Sequence, residues 1–262
     1  MPTLIELLEA GAHFGHKKER SHPKAKEFTF TLREGVYVID LEKTLSGLEA
    51  ALEFLKKQAS LGKTILFVGT KKQAQVLTQK VAENTGMPYI SHRWLGGTLT
   101  NFETIRRNIT QLDTLEAKTN SPEFDLLTKK EKKVITDKIE KLMSTFGGVR
   151  KMRNLPDAIF VIDAAKEKLA LEEGNRMEIP IAAICDTDAN PEMVTYPIPA
   201  NDDAPKTLDM LMKLVETAVL EGEGMKNVEA PKAEVKTETP AKKEEAKEDK
   251  KPAKPSVKAE KK

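Results

Sequence analysis

The chain of 262 residues is long enough for one large domain or two small ones, and 39% hydrophobic with 32% charged residues indicates a real core beneath a charge-rich surface. No apolar run approaches the roughly 20 residues that span a bilayer, and the first residues lack the basic and apolar regions of a secretion signal. The single cysteine, Cys185, excludes an internal disulfide and suits a reducing cytoplasm. We therefore expect a cytoplasmic protein without a membrane partner.

The small net charge conceals an uneven distribution. Residues 226–262 hold 12 Lys against 8 Asp and Glu, which leaves 31 basic and 33 acidic side chains on residues 1–225. Global attraction to a polyanion is therefore absent from the main part of the chain, and any RNA binding depends on local basic patches. Residues 226–262 also lack aromatic side chains, so we expect them to form a disordered tail rich in Lys, Glu, Ala and Pro.

The N-terminal quarter combines short elements with a basic stretch. Thr3 and Glu6 are spaced as a capping box, and Gly11 is placed to end the helix that they begin. The polar and basic residues 12–27 are expected to form a flexible segment. Apolar spacing after that segment predicts strands over 28–32 and 36–40 and a helix over 41–60.

Buried strands that alternate with helices predict an α/β domain. Continuous apolar runs such as Thr64-Ile-Leu-Phe-Val68 are typical of strands that are covered on both faces. Their alternation with helical segments predicts a parallel sheet of about five strands with helices on both sides. The expected strands are 64–68, 88–90, 158–162 and 181–184, and the expected helices are 71–84, 166–176 and 205–221.

Two helical segments interrupt this alternation. Apolar residues recur at steps of three and four from Ile105 to Leu115 and again from Ile135 to Phe146, so each segment has one apolar stripe. Asn120-Ser121-Pro122 separates them. We therefore expect an antiparallel, coiled-coil hairpin over 101–147, inserted into an α/β domain formed by 1–100 and 148–225, with the tail at 226–262.

Two residue groups leave other functions open. Gly69-Thr-Lys-Lys follows a buried strand and opens a helix, where a phosphate could bind, but the longer glycine-bounded Walker loop is missing. The chain has no recognisable catalytic triad, and we expect neither catalysis nor a cofactor. A nucleotide- or metabolite-binding α/β enzyme remains the alternative. Whether a metal binds also stays open for His13, His16, Asp186, Asp188 and Asp202, whose spacing alone is weak support.

The segment from His92 to Phe102 has an unusual composition. It contains the only tryptophan, Trp94, in a predicted loop, and Gly96-Gly97 permits a positive φ or close backbone approach. Thr100 or Asn101 is placed to cap the helix that follows. We interpret Trp94 as a packing anchor that sets the angle of the hairpin.

Basic side chains near this segment and near the N-terminus are the candidate RNA contacts. Arg106 and Arg107 fall in the first turns of a predicted helix, where the helix dipole disfavours cations, and this placement suggests an anionic partner. Binding of this kind depends mainly on phosphates and RNA shape. The candidate set is Lys17, Lys18, Arg20, Lys24, Lys26, Arg93, Arg106, Arg107, Arg150 and Arg153.

The segment His92-Arg-Trp-Leu-Gly-Gly-Thr-Leu-Thr-Asn-Phe102 resembles that of the bacterial small-subunit ribosomal protein two family. Other stretches agree with the family in order and spacing, so that the resemblance covers residues 4–222 approximately. These stretches are Leu7-Leu-Glu-Ala-Gly-Ala-His-Phe-Gly-His16, Val38-Ile-Asp-Leu-Glu-Lys-Thr44, Ile65-Leu-Phe-Val-Gly-Thr-Lys-Lys-Gln-Ala74, Leu155-Pro-Asp-Ala-Ile-Phe-Val-Ile-Asp163 and Tyr196-Pro-Ile-Pro-Ala-Asn-Asp-Asp203.

The resemblance implies a flavodoxin-like three-layer α/β/α domain with a protruding helical hairpin. It implies a structural role on the back of the small ribosomal subunit, with small-subunit rRNA and other small-subunit ribosomal proteins as partners and no DNA. It also implies that the chain supports docking of the large mRNA-binding ribosomal protein one in translation. Where many members carry an aromatic residue before Pro23, this chain has Ser21-His22. A free adaptor protein without a ribosomal role is a further alternative.

Overall fold

The computed structural model describes residues 1–229. The chain begins with a capped helix, which is followed by a small antiparallel sheet. Thr3 and Glu6 form the expected capping box of α1 (Leu4–Ala10), and Gly11 ends that helix. The strands β1 (Phe14–Lys17), β2 (Thr29–Arg33) and β3 (Val36–Ile39) form the small sheet in the order β1-β3-β2. The expectation that residues 12–27 are flexible is wrong, because β1 pairs with β3 and a 3-10 helix follows at Pro23–Phe28.

Five further strands form a parallel sheet. They are β4 (Ile65–Val68), β5 (Tyr89–Ile90), β6 (Ala158–Ile162), β7 (Ile181–Cys185) and β8 (Tyr196–Pro199). Their spatial order is β5-β4-β6-β7-β8, which is the 2-1-3-4-5 order of flavodoxin-like folds when the strands are counted along the chain. The sequence did not predict β8, which contains two prolines, but an edge strand tolerates proline.

Helices cover both faces of this sheet. The helices that follow α1 are α2 (Leu41–Ser60), α3 (Lys72–Thr85), α4 (Phe102–Thr119), α5 (Pro122–Asp125), α6 (Lys129–Phe146), α7 (Lys168–Arg176) and α8 (Pro205–Glu229). Phe67 and Phe160 pack in one apolar cluster with α2, α3 and α8, whereas their strand neighbours Leu66 and Ile159 pack in a second cluster with α4 and α7. This two-residue alternation produces three layers and confirms the predicted α/β/α fold class.

The last helix continues past its predicted end at residue 221. Glycine disfavours a helix interior, and the sequence has glycine at 222 and 224. Gly222, however, lies where α8 crosses α2, and a Cβ there would be 2.3 Å from the Lys56 carbonyl oxygen. The predicted tail lies, from residue 230 onwards, outside the described residues, and its disorder stays a prediction.

The helical pair expected over 101–147 is present as α4 and α6, which contact each other and are joined through the short α5. Ile105, Ile109 and Phe146 belong to the apolar cluster on one face of the sheet, so the root of the pair is part of the main core. Its status as a separate insert stays a prediction. No helix within residues 1–229 has the length and apolar character needed to cross a membrane.

The central strand β6 provides a test of the core. Phe160 is fully buried and packs against Phe67 with ring centroids 5.8 Å apart. Phe160→Ala is expected to lower the free energy of unfolding by about 3 to 5 kcal/mol, because it removes apolar contacts and leaves a cavity. Urea denaturation measures this change. Val76→Ala on the exposed face of α3 is the control, with an expected change within about 0.5 kcal/mol, and equal losses in both variants would contradict this description of the core.

Candidate nucleic-acid interface

The carboxyl ends of β4 and β6 meet where the strand order reverses, which is where doubly wound folds bind ligands. Lys71 follows β4, and its Nζ lies 2.6 Å from Asp202 Oδ1, 2.5 Å from Asp203 Oδ1 and 3.4 Å from Asp163 Oδ2. Burial lowers the pKa of Lys71, but hydrogen bonds to Asp202 and Asp203 outweigh it and raise the pKa above its ordinary value. The lysine is therefore charged and neutralised by the protein itself.

Further carboxylates surround this crevice. Glu167 is buried and accepts hydrogen bonds from the backbone N–H and the hydroxyl of Thr70, the residue before Lys71. Burial and the nearby charges of Asp163 and Asp186 raise the pKa of Asp202 to about 7. An anionic nucleotide in this crevice would meet a lysine that is already paired and several carboxylates, so the geometry disfavours the nucleotide-binding alternative.

A second polar network joins the small sheet to the same edge of the parallel sheet. His16 Nδ1 lies 3.1 Å from Asp186 Oδ1, and its Nε2 lies 3.6 Å from Asp203 Oδ2 and 3.9 Å from Asp188 Oδ2. The Asp186 carboxylate beside the ring raises the pKa of His16 above its ordinary value, and this effect outweighs burial. Asp188 also pairs with Arg20 at 3.1 Å. These contacts fasten β1 to the loop that follows β7.

Of the residues considered for a metal site, His16 contacts Asp186 and Asp188, whereas His13 and Asp202 have other neighbours. The His13 ring contacts the Phe14 ring in a tilted arrangement with centroids 3.9 Å apart, and Asp202 pairs with Lys71. Within residues 1–229, no group of three or more His, Cys, Asp or Glu side chains has an arrangement that could hold a metal ion. Cys185 is buried, and burial raises the pKa of its thiol.

The loop before α4 is held by a buried carboxylate that the sequence did not single out. Glu173 of α7 accepts hydrogen bonds from Trp94 Nε1 at 3.1 Å, from the Gly97 N–H at 2.8 Å and from the Leu99 N–H at 2.9 Å. It also accepts from the backbone N–H and the hydroxyl of Thr100, each at 3.2 Å. Burial raises the pKa of Glu173, but these hydrogen bonds outweigh it and lower the pKa below its ordinary value. Trp94 is thus a buried packing anchor.

Two expectations about this loop have different outcomes. Gly97 has a φ of 88°, the positive value that the glycine pair permits. The expected side-chain cap is wrong: Asn101 is the N-cap residue of α4 but makes no cap hydrogen bond. The Thr100 hydroxyl is directed to Glu173 instead, so the loop is fixed from α7 and not from its own helix.

The first group of candidate RNA contacts lies on β1 and the segment after it. All of these side chains are exposed, but the group is not uniform. Arg20 pairs with Asp188, and Lys24 pairs with Glu192. The three without a carboxylate within 4 Å, among residues 1–229, are Lys17, Lys18 and Lys26.

The other candidates lie around the start of α4 and after the end of α6. Arg93, Arg106 and Arg107 are exposed before and along α4, and Arg107 lies 3.9 Å from Glu103. Arg150 follows α6 and is held by Asp113 at 2.6 Å and Glu116 at 2.7 Å. Arg153 is exposed and, within the described part of the chain, has no such partner. Their contact with RNA stays a prediction, and the geometry favours the unpaired side chains over Arg150.

Comparison with known proteins gives the family. The family model described as "Ribosomal protein S2" matches residues 7–222. The chain belongs to this family. The match includes both networks at the sheet edge, the loop held by Glu173 and every candidate RNA-binding residue. Membership of a ribosomal protein family confirms the expectation that the chain is not an enzyme.

Individual relatives extend the similarity over most of the chain. The chain is 45% identical to "Small ribosomal subunit protein uS2" of Campylobacter curvus, over 91% of this chain and 92% of the relative. It is 45% identical to the protein of that name in Nitratiruptor sp., over 95% of this chain and 93% of that relative. It is 48% identical to that of Campylobacter jejuni (strain RM1221), over 86% of each chain. The similarity covers between 86% and 95% of this chain and is therefore not confined to one region.

The Glu173 carboxylate can be tested through the only tryptophan. Glu173→Ala leaves buried N–H groups of the loop without acceptors and is expected to lower the free energy of unfolding by about 3 kcal/mol or more. Urea denaturation followed by Trp94 fluorescence measures the loss. Glu172→Ala removes the exposed neighbouring carboxylate as a control, with an expected change below about 1 kcal/mol. Similar losses in both variants would mean that Glu173 does not hold the loop.

His16 couples the stability of the fold to pH. Because its pKa is raised in the folded chain, the folded state binds the proton more tightly than the unfolded state does. The stabilisation is complete below the ordinary pKa of 6.5 and is lost as the pH rises through the raised value. We expect the difference in unfolding free energy between wild type and His16→Asn to shrink as the pH rises from below 6.5 through the raised pKa. Chemical denaturation across this range measures it, and a pH-independent difference would refute the assignment.

Proposed function

We propose that the chain is a structural constituent of the small ribosomal subunit that binds small-subunit rRNA and neighbouring ribosomal proteins. The observation that carries the proposal is that Lys17, Lys18 and Lys26 are exposed and have no ionic partner within residues 1–229. They lie on a segment that is fixed to the α/β domain, in a chain of the ribosomal protein S2 family. The relatives carry the name of small ribosomal subunit proteins. Association with the ribosome in the cytoplasm is part of this proposal.

The fixed geometry of the basic segment favours binding to RNA phosphates. The His16 N–H donates to the Thr187 hydroxyl at 2.8 Å, and the His22 N–H donates to the Thr187 carbonyl oxygen at 2.8 Å. Both bonds tie the segment to the loop after β7. A segment that is ordered before binding loses less conformational entropy on association. Lysines placed in this way supply salt-dependent affinity and position the protein on the RNA without base recognition.

The proposal includes a role in docking the large mRNA-binding ribosomal protein one. Family membership supports this part of the proposal. Exposed apolar side chains are consistent with a surface that is covered in an assembly: Phe30 and Leu32 lie on the same face of β2 and are 76% and 42% exposed. Small subunits that lack the chain are expected to lose the large protein, and addition of the purified chain is expected to restore it. Retention of the large protein without the chain would contradict this role.

Sucrose-gradient sedimentation of tagged chain in cell extract tests the main proposal. The chain is expected to sediment with small subunits in low salt and to dissociate as salt rises, because phosphate contacts weaken with ionic strength. Sedimentation only at the top of the gradient, under low salt, would favour a free adaptor protein.

Charge reversal separates RNA contact from folding. The triple variant Lys17→Glu, Lys18→Glu, Lys26→Glu is expected to reduce incorporation into small subunits at least about tenfold while the thermal midpoint stays within a few degrees. Competition with wild type during reconstitution measures incorporation. The matched control reverses Lys57, Lys80 and Lys206, which are also exposed. Equal incorporation of both triple variants would show that the basic segment is not the RNA contact.

A further inference from the structure

A cavity lies away from the carboxylate networks, on the β5 side of the parallel sheet. Its volume is about 560 Å³, within the range of pockets that hold small organic ligands. One wall comes from the end of α3 and from β5, and the other comes from the turn after α6. Gly148 of that turn packs directly on Tyr89, and a Cβ at Gly148 would be 2.2 Å from the Tyr89 carbonyl oxygen.

The charges around this cavity are unequal. Arg150, Lys151 and Arg153 all line it, but Arg150 is already paired with Asp113 and Glu116. Lys151 and Arg153 are exposed, and within residues 1–229 neither has a carboxylate within 4 Å. The lining of the cavity therefore includes two cations that the described residues do not neutralise. Such cations favour an anionic ligand, and arginine matches the geometry of phosphate.

The opposite wall offers different chemistry. Tyr89 is half-buried and lines the cavity beside Met87 and Pro88, so the wall is apolar and includes an aromatic ring. Glu83 lies at the same wall; burial and the Glu83 charge together raise the pKa of Tyr89. A carboxylate at this position repels a phosphate but accepts hydrogen bonds from the amino groups of a nucleobase.

We infer that this cavity binds a single unpaired nucleotide of RNA, with its phosphate at Lys151 and Arg153 and its base against Tyr89 and Glu83. The inference rests on the proposed function, which it deepens by naming the ligand class and the site. A cavity closed on one side by a β-strand admits a base that is turned out of a bulge or loop, whereas a base within a duplex cannot reach Tyr89. Recognition of unpaired bases on aromatic side chains is a general mode of RNA binding.

Fluorescence anisotropy with the full chain tests this site directly. The probes are short single-stranded RNA oligonucleotides and an RNA duplex of equal length. Single strands are expected to bind more tightly than the duplex. Tyr89→Leu is expected to weaken single-strand binding roughly tenfold, whereas Tyr89→Phe retains the ring and the affinity. Lys151→Ala with Arg153→Ala is expected to weaken binding and to reduce the slope of log affinity against log salt by about 0.7, the value for one phosphate of a single strand.

A control and a second measurement keep the test specific. Arg176→Ala with Lys206→Ala removes one arginine and one lysine that are exposed and do not line the cavity, and it is expected to bind as wild type does. In reconstituted small subunits, photo-crosslinks from Tyr89 are mapped by mass spectrometry, and an adduct with one nucleotide is expected. A crosslink from Tyr89 to a protein overturns the inference. Equal affinity for single-stranded RNA in the Lys151→Ala, Arg153→Ala variant and the Arg176→Ala, Lys206→Ala control also overturns it.

Failure of the cavity and failure of the proposed function give different results. If the wild-type chain joins small subunits and no RNA adduct forms at Tyr89, the cavity assignment falls and the ribosomal role stands. The opposite result is that the chain does not join subunits, but single-stranded RNA binds and the Tyr89→Leu and Lys151→Ala, Arg153→Ala variants bind it more weakly. The cavity assignment then stands and the ribosomal role falls.

Discussion

The Glu173 carboxylate is the interaction on which the position of the helical pair depends. It is buried on α7, yet its hydrogen-bond donors belong to the loop of residues 94–100, which connects β5 to α4. The loop has no regular secondary structure to satisfy its N–H groups, and a buried N–H without an acceptor is unfavourable. By accepting from several of them at once, Glu173 fixes the point at which α4 leaves the sheet. The candidate contacts Arg93 and Arg106, on either side of this loop, therefore have defined positions before any partner binds.

Charge is divided between the inside and the outside of the fold. The switch point of the sheet, which binds ligands in many doubly wound proteins, is filled here by Lys71 and the surrounding aspartates. A buried ion pair contributes little net stability but is unfavourable to break, so this crevice is closed to a charged ligand. The cations that we propose as RNA contacts, and that have no ionic partner within residues 1–229, lie instead on the N-terminal segment, near α4 and at the cavity beside Tyr89. A near-neutral domain that binds RNA does so through local basic patches and without a strong overall field.

The sequence was sufficient for most of the fold because the fold depends on local periodicity. Continuous apolar runs identified the buried strands, and the capping box at Thr3 gave the start of α1. The strand β8 was missed because Tyr196-Pro-Ile-Pro199 reads as a turn unless its edge position is known. Glu173 was missed because its acceptor role depends on donors that lie 73 to 79 residues away in the chain. For the same reason the pairing of Arg150 with Asp113 could not be predicted: spacing along one chain does not reveal which charges meet across helices.

The central claim is that the basic N-terminal segment contacts RNA, whereas Lys71 at the switch point pairs with aspartates of the fold and contacts no ligand. Lysine acetylation, with mass spectrometry of the free and the subunit-bound chain, tests both parts at once. We predict that Lys17, Lys18 and Lys26 react in the free chain and are protected in the small subunit, and that Lys71, with a side chain 14% exposed, is unreactive in both. Equal reactivity of the three lysines in the two states, or ready acetylation of Lys71 in the folded chain, would contradict the account.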